Sequence, residues 1–312
     1  MSGPTTTDTS VRDVSTSLKE TVADSEFVRS SPFWVPSLLL VGLFIYGSIG
    51  WNAIISLTDS SGFGAVDYSQ LDLSQYGRAL NDAELLTAFR NTFVLLVVFT
   101  IICLAIGLVL ALLLDREVRF RRSIRTIYLL PFSLAFVVTA QIWLWLYNFK
   151  FGLVNTTLAT LGLPRQDWIG NPKLVLGAVI VALIWQFSGY AMVVYLAGLR
   201  SIPDDQFEAA RVDGASTLRM YWRVIIPQLQ ASTASAAVVL MVFALKAFDF
   251  LYSMFGGYRP RKGADILATK MVREAFKLRE WAYGASIAII MFLLALAIIS
   301  PYLYSQYKRG DL

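Results

Sequence analysis

Residue types able to do covalent chemistry are almost missing from this sequence. It has no histidine and one cysteine, Cys103, set inside an apolar run. Imidazole acid–base catalysis, histidine metal sites, a disulfide framework and a thiolate cluster are therefore excluded within one chain. No GxxxxGK[ST] stretch is present to cradle a nucleotide's phosphates, so the chain is not itself an ATPase. What remains is binding chemistry. Lys246 and Asp249 stand at i and i+3 in an apolar run, on one face of a helix. Ionisable groups at membrane depth are costly and face a partner or a wet cavity. These two could form a structural ion pair or a hydrogen-bonding pair along a solute pathway, with Phe248, Phe250 and Tyr252 beside them. Trp185, Gln186, Ser188 and Tyr190 make a second polar-aromatic cluster, and Gln141 with Trp143 and Trp145 a third. Amides, hydroxyls and aromatic faces are the groups that hold a neutral sugar, and the same residues also serve as packing and interfacial anchors.

The elements that position these groups are membrane spans. The chain has 312 residues, is 56% hydrophobic and has a mean hydropathy of +0.58, which points to an all-α, multi-span membrane protein. Its 27 Lys and Arg against 22 Asp and Glu give a net charge of +5. In such a protein that excess belongs to basic cytoplasmic loops and lipid headgroups, not to nucleic acid. Residues 1–31 are rich in Ser, Thr and Asp and read as a flexible polar tail, without the pattern of a secretory signal. Residues 32–307 hold six expected spans, at 32–57, 92–114, 126–147, 173–199, 231–255 and 281–304, followed by a short basic tail at 308–312. An even count puts both termini on one side. The loop with Arg116, Arg119, Arg121, Arg122 and Arg125 makes that side cytoplasmic. One segment disagrees by charge: 256–280 would be external, yet it carries Arg259, Arg261, Lys262, Lys270, Arg273, Lys277 and Arg279. It reads either as a solvated surface helix or as a basic face for an acidic protein partner.

Between the fourth and fifth spans lies a long polar stretch, 200–229. Pro203, Asp204 and Asp205 favour a helix start. Gly214 can bend or end that helix, Ser216 or Thr217 can cap a second one, and Pro227 can stop it. The expected unit is helix, elbow, helix, tied to the bilayer at both ends.

That stretch resembles the EAA loop of ABC importer permeases. The family pattern is Glu-Ala-Ala, three residues, Gly, nine residues, then Ile-x-Leu-Pro. Here Glu208-Ala209-Ala210, Gly214 and Val224-Ile225-Ile226-Pro227 keep that register, with Val for Ile and Ile for Leu. Further stretches are similar to the carbohydrate-uptake class, among them Phe151-Gly152-Leu153-Val154-Asn155, Trp168-Ile169-Gly170-Asn171-Pro172 and Ala264-Asp265-Ile266-Leu267. The resemblance covers roughly 33–307. It implies a multi-pass permease in a prokaryotic cell membrane, working without a cofactor of its own. It also implies a second homologous permease subunit, two cytoplasmic ATP-binding subunits and an extracytoplasmic sugar-binding protein. A short helix would dock on the ATPase, with Ala209 and Ala210 allowing close approach and Glu208 making a cross-interface contact. Gly214 would set the bend, and Arg211 and Asp213 would be rim charges. Gln141, Trp185, Gln186, Tyr190, Lys246 and Asp249 are the candidate solute pathway. Glucose is the first expectation, with maltose, trehalose or glycerol phosphate as alternatives. A secondary transporter would require internal repeats and broken helices, neither of which the sequence displays. An intramembrane enzyme would have to be built around Lys246.

Overall fold

The computed structural model describes residues 26–115 and 120–309. Most of the expected tail, with Arg116 and Arg119, lies outside the described residues. The chain divides into two compact units, 1–54 and 55–312. In the first unit helix α1, Glu26–Val41, passes through a π turn at Gly42–Tyr46 into α2, Gly47–Ile55. The last six residues assigned to the polar tail are thus already helical. Pro32 and Pro36 sit inside α1. Ser30–Ile55, with a mean hydropathy of 1.9 in its most apolar stretch, is long and apolar enough to cross a membrane.

The second unit is organised on three long helices, and no β-strand occurs among the described residues. After α3, Ser74–Asn81, come α4, Ala83–Asp115, then α5, Arg121–Leu129, α6, Phe136–Leu146, α7, Leu153–Thr160, and α8, Val175–Arg200. The loop region holds α9, Asp204–Val212, α10, Thr217–Met220, and α11, Ile226–Gln228. The rest is α12, Gln230–Leu245, α13, Phe248–Phe255, α14, Leu267–Val272, and α15, Trp281–Arg309. Helix α4 has 33 residues, about 50 Å at 1.5 Å per residue, so it outruns a hydrocarbon core of about 30 Å. It lies against α8 through small residues: a Cβ on Gly107 would fall 2.5 Å from Ala191 Cβ. Leu95, Phe99, Cys103, Val179, Leu183, Phe187 and Leu240 fill the shared core.

Two expected spans are not continuous, 126–147 at Leu134–Ala135 and 231–255 at Lys246–Ala247. Arg121–Ser133 and Phe136–Leu146 meet at 101°. Pro131 opens a single 3-10 turn, and Leu134 and Ala135 are extended, so the ladder breaks there. The freed Leu134 carbonyl accepts from Gln186 Nε2 at 2.8 Å. A break of this kind is tolerated at membrane depth only where a neighbour satisfies it. Helix α8 comes close at the same place: a Cβ on Gly189 would fall 1.9 Å from Tyr128 O.

The second bend is 63°, between Thr217–Gln228 and Gln230–Leu245. The helix ends at Gln228, one residue past Pro227, and the turn falls at Leu229, ahead of the expected span at 231–255. Among the described residues four helices are long and apolar enough to cross a membrane, or up to six if each bent pair is one span.

The face shared by Lys246 and Asp249 also fails to form. Helix α12 ends at Leu245 and α13 starts at Phe248, with Lys246 and Ala247 as the caps between them. Both side chains are exposed, and no ion pair joins them among the described residues. The restart breaks the helical register on which an i, i+3 pairing depends.

Candidate functional site

The loop between α8 and α12 folds as a helix, elbow and helix. Asp204 and Asp205 occupy the first turn of α9, where carboxylates favour the positive helix end. At the other end Gly214 has φ +69°, Gly214 N donates to Arg211 O at 3.0 Å, and Ala215 N to Ala210 O at 3.0 Å. This pair of bonds is a Schellman stop, and it requires a left-handed residue where glycine sits. Ser216 Oγ then accepts from Arg219 N and caps α10, while a π turn at Tyr221–Ile225 carries the helix on to Pro227. Gln228 Nε2 donates to Gln206 Oε1 and ties the two arms together.

Apolar packing holds the elbow to the bundle. Ala210, Met220, Ile225 and Leu229 are buried with Leu114, Tyr195 and Leu199 from α4 and α8. Tyr221 Oη donates to Asp115 Oδ2 at 2.9 Å and pins the loop to the end of α4. The two alanines of the triplet therefore differ in role: Ala210 is buried, whereas Ala209, Glu208 and Asp213 are exposed. A cleft of about 970 Å³ opens beside them, lined by Asp115, Arg200, Glu208, Arg211 and Tyr221 among others. The outward surface carries Val212, Leu218 and Trp222, exposed by 86%, 79% and 70%. Sequence reading missed these three. Three large apolar side chains bared on one polar loop are its available signal, because soluble surfaces seldom cluster them.

The candidate pathway residues separate into groups. Trp143 and Trp185 meet edge to face at 5.9 Å, which joins two of the predicted clusters between α6 and α8. Gln141 Nε2 donates to Ser253 O at 2.9 Å, and Tyr190 stacks on Phe132 at 5.3 Å. Both glutamine amides thus bond main-chain carbonyls of other elements. Gln186 Oε1, Thr139 Oγ1 and Trp143 Nε1 are buried without a hydrogen-bond partner among the described residues. Lys246 and Asp249 bond to none of these groups among the described residues.

Residues 103–309 match the family described as "Binding-protein-dependent transport system inner membrane component". The chain belongs to this family. It is 59% identical over 289 residues to the xylose/arabinose import permease protein XacH of Haloferax volcanii, covering 93% of this chain and 91% of that one. It is 47% identical to a probable ABC transporter permease of Pyrococcus horikoshii, over 89% and 96% of the two chains. In fold it resembles a bacterial ABC transporter for the import of alginate, with a TM-score of 0.77, 21% identity and coverage of 91% and 97%. The protein is accordingly a transport component and not an enzyme.

The permease also contains a site that sequence reading took for open surface. Two cations of the basic segment 256–280 are not at the surface, while Arg259, Arg261, Lys277 and Arg279 are exposed as expected. Lys270 and Arg273 are 2% and 4% exposed. Lys270 Nζ lies 2.8 Å from Asp82, 3.2 Å from Glu274 and 3.6 Å from Glu84. Arg273 forks onto Asp265 at 2.8 and 3.2 Å. Tyr283 Oη donates to Asp82 at 2.7 Å, and the Arg78 guanidinium lies 4.1 Å above the Tyr283 ring while pairing with Glu280. Thr92 Oγ1 accepts from Leu267 N, and Asn91 Nδ2 donates to Asp265 O. The segment is stapled to the starts of α4 and α15, and Arg259, Lys270 and Arg273 pair with fixed acids. A count of positive charges misses this, because two of the balancing acids, Asp82 and Glu84, stand almost two hundred residues earlier.

The clamp sets a pH window. Burial opposes ionisation of Asp82, but hydrogen bonds from Lys270 and Tyr283 hold its carboxyl at about 2, below the ordinary 3.8. Its contribution is complete above the ordinary value and is lost as pH falls through the lowered one. Burial likewise opposes charge on Lys270, and Asp82 and Glu274 outweigh it, so its pKa is raised. That contribution is complete below the ordinary lysine value and is lost only in strong alkali. The Tm of the purified permease should stay level from about pH 5 to 9 and drop below about pH 4. A steep fall near neutrality would contradict the clamp.

Proposed function

We propose that the chain is the membrane-spanning permease subunit of an ATP-driven ABC importer for a neutral sugar, with a pentose such as xylose or arabinose ahead of glucose. The observation that carries this is its 59% identity, across 93% of its length, to a relative named for xylose and arabinose import. The glucose import system permease of Saccharolobus solfataricus is 25% identical, which is why glucose moves to second place.

In this reading each bent pair is one span. The chain then crosses the membrane six times, with both termini and the loop at 200–229 in the cytoplasm. Two ATP-binding subunits, a second homologous permease and an extracytoplasmic sugar-binding protein complete the assembly. Closure of the ATPase pair would press on α9, with Glu208, Val212 and Trp222 at the contact. The buried Ala210 and the Tyr221–Asp115 bond would pass the movement to α4 and α8. The solute would move past Gln141, Trp143, Trp185, Gln186 and Tyr190. In support, neutral amides and aromatic faces suit a neutral sugar, and the unpartnered Gln186 Oε1 and Trp143 Nε1 leave polar capacity unused.

Uptake of labelled xylose, arabinose, glucose, maltose and glycerol phosphate should be compared in cells with the chain, without it, and with it restored. Pentose uptake should fall to background on deletion and return on restoration, with the other solutes unchanged. Loss of glucose uptake with pentose uptake intact would overturn the pentose assignment.

A further inference from the structure

Arg121, Arg122 and Arg125 of α5 have no role in the transport scheme, and they share a second cleft with Arg200, which also lines the cleft beside Glu208. Arg121, Arg122 and Arg125 of α5 and Arg200 at the end of α8 surround a cleft of about 420 Å³ walled by Leu114 and Leu196. Leu114 and Leu196 are each 3% exposed. None of the four guanidinium groups forms an ion pair or hydrogen bond among the described residues. The nearby acid that ends α4, Asp115, accepts from Tyr221 instead. Four unpaired cations on apolar walls favour an anion that brings apolar matter with it.

The shape of α5 says what kind. At 3.6 residues per turn, its three arginines fall within an arc of roughly 100°, and Ile127 and Leu130 lie on the opposite side. Ile127 and Leu130 are 67% and 57% exposed, and Phe120, at the helix start, 68%. The segment is turned 101° from α6, while the cleft lies at the ends of α4 and α8, both helices long and apolar enough to cross a membrane. Tyr128 of α5 meets Gly189 of α8, so α5 runs back along α8 from the ends of the spans; cations at that end and bared apolar groups further along match the headgroup and the chains of a lipid.

We propose that this cleft seats the phosphate of an anionic membrane lipid, its acyl chains running along the exposed apolar side of α5. The inference rests on α4 and α8 being membrane spans and not on the solute or on which side the cleft faces. A basic pocket between spans suits a lipid phosphodiester in charge and in position. A free phosphate ion would use the arginines but leave the apolar side without a partner.

The test uses the detergent-purified importer with its full chain, titrated with dioleoyl phosphatidylglycerol, dioleoyl phosphatidylcholine or sodium phosphate. Lipid retained per importer and Tm are measured. The comparison is with the triple variant Arg121→Gln, Arg125→Gln, Arg200→Gln, and with Arg121→Lys, Arg125→Lys, Arg200→Lys, which keeps the charge. Phosphatidylglycerol should be retained and raise Tm, and phosphatidylcholine should do neither. The glutamine variant should bind phosphatidylglycerol about a hundredfold more weakly, each cation near a lipid surface contributing roughly fivefold. The lysine variant should fall between, which also reports that a folded protein can respond. Equal retention by parent and glutamine variant, or equal retention of the two lipids, overturns the proposal. So does sodium phosphate matching phosphatidylglycerol, which would make the cleft an ion site. Unchanged lipid retention with loss of the ATPase subunits from the glutamine variant would overturn it in favour of a protein contact.

Discussion

Replacing Lys270 by methionine is expected to destabilise the permease by about 3–5 kcal/mol, the usual result of deleting one partner from a buried ionic cluster. Lys270 is 2% exposed and touches three carboxylates, Asp82, Glu84 and Glu274. Without it, Glu274 remains buried, and the other cations near it among the described residues, Arg273 and Arg78, are already held by Asp265 and Glu280. The loss comes from stranded charge and not from a missing attraction, so combining the change with Asp82→Asn and Glu274→Gln should recover much of it. Tm and the monodisperse fraction after detergent extraction report both effects. A Lys270→Met protein as stable as the parent, or a triple variant worse than the single one, would reject the clamp.

The second large effect is expected at the elbow. Proline is confined to φ near −65° and has no amide hydrogen, whereas Gly214 sits at +69° and donates to Arg211 O. Gly214→Pro should therefore undo the stop of α9, swing the exposed face of the loop and reduce sugar uptake to background. No atom outside its immediate neighbours lies within 4 Å of where a Cβ at this position would stand, so the membrane level of the protein should be unchanged. Gly214→Ala meets no clash and only the left-handed penalty of about 1–2 kcal/mol, so uptake should persist at a reduced level. Undiminished uptake by the proline variant would mean that the loop does not transmit the ATPase stroke.

These two sites were not equally visible in the sequence. The elbow was, because its devices are local: Asp204 and Asp205 at a helix start, Gly214 at a stop and Ser216 at a cap act over a few residues. The long spans were visible too, since 33 consecutive helical residues of high hydropathy need no partner to declare themselves. The breaks were not. Pro131 hinted at one, but whether a proline bends, kinks or ends a helix depends on what receives the freed carbonyl, and here that is Gln186, more than fifty residues away. The interruption at Lys246 and Ala247 carries no proline or glycine at all. Helical spacing therefore gave Lys246 and Asp249 a common face that the chain does not keep. The clamp failed to show for the same reason of distance. The apolar side chains of Val212, Leu218 and Trp222 were overlooked because ordinary spacing in a short helix does not reveal which side stays bare.

The clamp also bears on how the protein is made. Asp82 and Glu84 leave the ribosome 188 and 186 residues ahead of Lys270 (270 − 82 and 270 − 84). At 5–20 residues per second they stand without their cation for about 10–40 s. Throughout that interval the start of α4 is an acidic site awaiting a segment not yet synthesised. A chain cut short before 256–280 would keep it that way for good.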